Sequence, residues 1–137
     1  MFSFVLTPDT TTDHLKAAFA ASFPGLRLGF FSKAHDTFES SAAKYLITQH
    51  DVLLSTLSSR FSYDVLELNA SMRVSEVEFL LESKYGLHVQ VFRKSGNLWL
   101  ETSVSDHLTL EEQQERARAS EHIQQEFVDP LDYRERD

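Results

Sequence analysis

Six histidines are the residues best suited to metal binding or acid–base chemistry, and four of them stand beside an aspartate: Asp13-His14, His35-Asp36, His50-Asp51 and Asp106-His107. Neighbouring side chains point apart on a helix or strand, so these dipeptides are not chelating pairs. The chain contains no His-x-x-x-His or His-x-x-Glu-His spacing. They read as turn and surface residues, with His50 and His107 at comparable turns as the one hint of a shared site. The absence of Cys excludes disulfides, thiolate nucleophiles, iron–sulfur clusters and thiolate zinc sites. Four glycines form no phosphate-cradling loop and no nucleophile elbow. Acid pairs such as Glu76 and Glu78 read as solvated helix-surface groups, because glycosidase-type chemistry needs carboxyls that face each other across a cleft. These residues name no reaction, and no cofactor or metal is expected.

The elements that carry them show an internal match. Gly25-Leu-Arg-Leu-Gly-Phe-Phe-Ser-Lys33 and Gly86-Leu-His-Val-Gln-Val-Phe-Arg-Lys94 agree in pattern at a spacing of 61. Upstream, with Pro24 as an inserted residue, Phe4, Leu6, Leu15, Phe19 and Phe23 align with Leu66, Leu68, Val77, Leu81 and Tyr85 at a spacing of 62. Each copy reads as a half-buried strand, an amphipathic helix and a second strand that returns to period two after its glycine. Thr12 or Asp13 is the expected cap of the first helix. Ser75-x-x-Glu78 and Thr109-x-x-Glu112 are expected capping boxes, and Gly86 an expected left-handed stop. Tyr45–Thr48 and Trp99–Thr102 complete the two units, the second through a hairpin at Ser95-Gly96 that sets Phe92 opposite Trp99.

The expected fold is therefore α+β: two βαββ repeats forming a largely antiparallel sheet with helices packed on one face, plus a C-terminal helix and an extended acidic tail. Residues 1–107 would be the duplicated domain, with repeat one about 2–57 and repeat two about 64–114. Residues 108–125 would form the helix and 126–137 the tail.

Alternation leaves a second sheet face carrying Arg27, Phe31 and Lys33 with His88, Phe92 and Lys94, to which Trp99 and Tyr45 are added. Aromatics ringed by bases mark an interaction surface. It can be covered by the chain's own C-terminal helix or by its tail, docking through Phe127, Leu131 and Tyr133. A second subunit or another protein can cover it instead, or single-stranded nucleic acid stacking on the aromatics.

Composition bounds the choice. The net charge of −8 is concentrated in residues 108–137, which hold nine acids and four bases. Such a chain lacks the basic footprint of a duplex-DNA or anionic-membrane binder. No signal-peptide pattern or membrane-spanning run is present, and cytoplasmic localisation is the expectation.

The stretch Gly86–Thr102, with Thr109-Leu-Glu-Glu-Gln113 and Glu126-Phe-Val-Asp-Pro-Leu-Asp-Tyr133, resembles a family of small bacterial proteins of unknown function, a resemblance that implies no activity. The paired units also look like the duplicated modules of gyrase-inhibitor-like ligand-binding domains, and each half resembles a ubiquitin-like strand-helix pattern; both likenesses are architectural. The leading functional expectation is a non-enzymatic protein-binding or adaptor domain that self-associates, as a homodimer, through the aromatic sheet face. The alternative is a small-molecule-binding domain or enzyme with a pocket between the repeats.

Overall fold

The computed structural model describes residues 2–32, 45–60 and 63–126, with side chains through Glu121. Its elements are β1 (Phe2–Leu6), α1 (Thr12–Ser22), β2 (Leu26–Phe31), α2 (Leu54–Leu57), β3 (Asp64–Leu68), α3 (Val74–Tyr85), β4 (His88–Ser95), β5 (Leu98–Glu101) and α4 (Leu110–Glu126). The class is α+β and every strand pairing is antiparallel. The strands form two sheets rather than one, ordered β1-β3 and β2-β4-β5.

Local chemistry explains where the helices begin and end. α1 is capped by Thr11, one residue before the expected position: its hydroxyl accepts from the His14 amide at 3.2 Å, and His14 Nδ1 accepts from the Thr11 amide at 3.4 Å. α3 starts after Arg73, whose amide donates to Glu76 Oε1 at 3.0 Å, so Ser75 and Glu78 form no capping box. α4 has the expected box, with Thr109 N–H to Glu112 Oε1 at 2.9 Å and Glu112 N–H to Thr109 Oγ1 at 3.1 Å. Gly86 ends α3 at φ +69, the left-handed conformation that only glycine adopts without strain.

Two expected strand features differ. The hairpin turns at Gly96-Asn97, with Gly96 at φ +61 in the first central position, where a type II′ turn calls for glycine. The register therefore moves by two: Trp99 faces Lys94, and Phe92 faces Glu101. Because the shift is even, Trp99 stays on the same face as Phe92. The strand expected over Tyr45–Thr48 is reduced to one bridge, Phe31↔Leu46. Beyond it the chain crosses to α1, where Asp13 accepts from the Asp51 amide at 3.2 Å.

One core joins both sheets. Phe2, Leu6, Leu66 and Leu68 of the β1-β3 ribbon meet Leu26, Leu28, Val89 and Val91 of the larger sheet, with Leu15, Phe19, Val77 and Leu81 from the helices between. Each such side chain contributes roughly 1.5–3 kcal/mol on burial. α4 joins this core through Leu110, and its stripe continues through buried Gln113 and Ala117 to Ser120. Ser120 Oγ accepts from the Gly96 amide at 3.1 Å, which fastens the helix to the hairpin.

Candidate functional site

The face expected to carry the aromatics separates into two ends. At one end Arg27, opposite Phe92 in the β2–β4 ladder, lays its guanidinium 4.3 Å from the Trp99 ring and 5.9 Å from the Phe92 ring. Lys94 lies across the β4–β5 ladder from Trp99. Arg27 is exposed, while Phe92, Trp99 and Lys94 are half-buried. Burial lowers the Arg27 guanidinium from its ordinary range, and it stays charged at neutral pH. Gly29 makes the cluster compact, because a Cβ there would come within 2.6 Å of Phe92 Cε1: the ring lies down on the glycine.

At the other end, four residues and about 13 Å along β2, Phe31 is buried and faces His88. His88 Nδ1 lies 3.7 Å from Glu82 Oε1 on α3, and half-buried Tyr45 accepts from the Ser32 amide at 2.9 Å through its carbonyl. The structure thus brings Arg27, Phe92, Trp99 and Lys94 together; Phe31 reaches toward them, its Cε1 lying 3.5 Å from where a Gly29 Cβ would stand, while His88 and Tyr45 sit at the far end. Lys33, Phe127, Leu131 and Tyr133 lie outside the described residues.

Beside the cluster runs a groove of about 610 Å³ bounded by Lys16 and Ala20 of α1, Arg27 and Leu28 of β2, and Leu46 and His50 of the crossing segment; Phe92 also reaches it. At its mouth His50 Nδ1 hydrogen-bonds Asp13 Oδ2 at 3.1 Å, the His50 side chain being 89% exposed. Burial acts against the Asp13 charge. It is outweighed by the hydrogen bonds from His50 and the Asp51 amide and by the charges of His50 and Lys16, so the carboxyl titrates below its ordinary range. Asp51 adopts φ +54, a left-handed conformation uncommon outside glycine. This pair joins two of the Asp–His dipeptides, Asp13-His14 and His50-Asp51, across 37 positions, a separation that no local spacing in the sequence reveals.

A hollow of about 240 Å³ lies where the halves meet, lined by Phe2, Ser22, Phe23, Ala70 and Gln114. It falls below the 300–1,000 Å³ or so typical of ligand sites. Among the described residues no cluster of three or more His, Asp or Glu forms a metal site, and no helix is long and apolar enough to cross a membrane.

Sequence reasoning also missed two further features. Glu78 is buried rather than solvated: its Oε2 accepts from the Val91 amide at 2.9 Å and from Gln90 Nε2 at 3.1 Å. Val74, Glu78, Leu81 and Tyr85 lie on one helical stripe, which was the available signal. On the outer side of the β1–β3 ribbon, Val5 and Val65 face each other across the ladder, 64% and 44% exposed. No family model, curated protein or solved structure matches this chain.

Proposed function

We propose that the protein is a non-enzymatic binding domain, cytoplasmic and able to self-associate, whose contact surface is centred on Arg27, Phe92 and Trp99. The observation that carries this reading is the stacking of Arg27 on Trp99 at 4.3 Å beside a Phe92 seated on Gly29. Arg and Trp are the side chains that most often anchor interfaces, and they do so best when held rigid before the partner arrives. Here the fork of Arg27 is ordered by the ring, so docking costs little further side-chain entropy. A second copy is the first partner to consider.

We also infer that the two halves descend from one βαββ unit. Two features of the pairing support this. Phe4, aligned with Leu66, pairs with Leu66, and Gly29, aligned with Gln90, pairs with Gln90. A twofold axis between two copies requires equivalent residues to meet at the axis in this way.

Light scattering after size-exclusion chromatography, over a range of protein concentrations, tests the self-association. The wild type is expected to dimerise as concentration rises. Trp99→Ala with Phe92→Ala should be monomeric with an unchanged far-UV spectrum. Val5→Ser with Val65→Ser, on the ribbon, should still dimerise. A wild type that is monomeric at every concentration, or one made monomeric only by the ribbon substitutions, would falsify the proposal.

A further inference from the structure

We propose that the groove along the open stretch of β2 seats the chain's own C-terminal segment, residues 127–137, as an added strand. This rests on the reading of Arg27 and Phe92 as part of a protein-contact surface. It goes further by naming what lies beside them.

The argument begins with the outer edge of β2. Ile47 N–H donates to the Phe30 carbonyl at 2.8 Å and Ser32 N–H to the Tyr45 carbonyl at 2.9 Å, so the even-numbered residues of β2 turn their main chain toward this edge. Leu28 follows the same alternation and forms a wall of the groove. The single described bridge on this edge is Phe31↔Leu46. Past Ile47 the chain leaves β2 and is drawn to α1 by the bonds from His50 and Asp51 to Asp13. The wedge that opens between the diverging segments has on one side a β2 edge with no further ladder partner among the described residues, and Ala17 and Ala20 on the other. Such an edge accepts an extended peptide through main-chain hydrogen bonds.

Charge selects the occupant. Lys16 and Arg27 border the groove, and the one acid among its described lining residues, Asp13, is already engaged by His50 and the Asp51 amide. Residues 127–137 carry four acids against two bases, and Leu131-Asp132-Tyr133 alternates apolar and acidic side chains as a half-buried strand does. Pro130 offers no amide, which an added edge strand tolerates.

The reach also suffices. α4 passes so close to the start of β2 that a Cβ on Gly25 would come within 2.9 Å of the Ala117 Cβ, and Ser120 is fixed to the Gly96 amide. The helix ends at Glu126, about 9 Å beyond Ser120. Eleven extended residues span about 36–40 Å, and Leu28 lies only three positions from Gly25. Tethering gives the segment an effective concentration in the millimolar range or so, ahead of any free peptide.

The absence of Cys permits a direct test in the full chain: Glu135→Cys carrying a nitroxide, read by the broadening of backbone amide signals in nuclear magnetic resonance. The amides of Arg27–Gly29 and Leu46–His50 should lose most of their intensity relative to the reduced label, and Lys16→Glu should restore much of it. No selective loss at these amides overturns the proposal. So does broadening that appears only when labelled chain is mixed with separate isotope-enriched chain, because the occupant is then a second copy. Trp99 belongs to the contact face and Lys16 to the groove, so the two readings fail separately. Monomeric wild type with broadened groove amides removes only the self-association. Dimerisation lost in Trp99→Ala, without groove broadening, removes only the tail.

Discussion

The side chains that matter most here are polar groups held in unequal contest with burial. Asp13 is the clearest. Its folded-state pKa is depressed, so its contribution to stability is complete above the unfolded carboxyl value of about 3.9 and disappears as the pH falls through the lower folded value. Asp64 behaves alike, because Lys84 and Tyr85 hydrogen-bond it, at 3.1 and 2.9 Å, and the Val65 amide adds a third donor. Acid should therefore weaken the fold only below about pH 4 through these two groups. A carbon-detected titration should place the Asp13 midpoint below about 3.9 and show it rising in His50→Ala; an unmoved midpoint means His50 is not the cause. Glu78 is the buried counterpart. Replacing it by Ala leaves the Val91 amide and Gln90 Nε2 without this acceptor, and urea unfolding should report a loss of about 2–4 kcal/mol. Glu78→Gln, which keeps an acceptor oxygen, should lose distinctly less. If both cost the same, the carboxamide fails to reproduce these bonds.

At the scale of elements, the sequence was legible wherever one segment's own periodicity decides the outcome. The strand of Phe2–Leu6, the helices ending at Ser22 and Tyr85, the Gly86 stop and the Thr109 box all depend on residues within a few positions of one another. Features that depend on a distant partner were not legible. Tyr45–Thr48 alternates like a strand, yet Asp13 draws the following residues away after a single bridge. Glu78 resembles a capping acid until the β4 edge supplies its donors. The aromatic face was half legible, since parity kept Trp99 beside Phe92 while the two-residue change of register gave it Lys94 as its partner. The end of α3 offers the element-scale prediction. Arg60 donates to the Glu82 and Ser83 carbonyls at 2.9 and 3.1 Å, and a Cβ on Gly86 would come within 2.3 Å of Ser58 Oγ. Gly86→Ala then combines left-handed strain of roughly 1–2 kcal/mol with displacement of the segment that caps the helix. Hydrogen exchange should accelerate in Glu82–Tyr85, with β1 and β3 unaffected at first. Acceleration spread evenly over the chain would mean that the cap does not act locally.

For the whole molecule, the decisive fact is that both strands of the first half find their partner strands in the second. β1 pairs with β3 and β2 with β4, and the two sheets share one core. A fragment of residues 1–60 retains neither partner strand, and its Phe2, Leu6, Leu26 and Leu28 lose the side chains that bury them. Two strands without a ladder do not sustain a fold of this size in water. The fragment should show no cooperative melt by circular dichroism, and neither should residues 61–126 alone. Mixed in equal amounts, the two should regain the spectrum of the intact chain, because every lost pairing lies between them. The intact protein should unfold in a single transition for the same reason, with no stage at which one half survives the other. A cooperative melt for either fragment would show that this half carries its own stability, and the Arg27–Trp99 contact, which spans the two halves, would then be a docking contact between independent modules rather than a product of their joint folding.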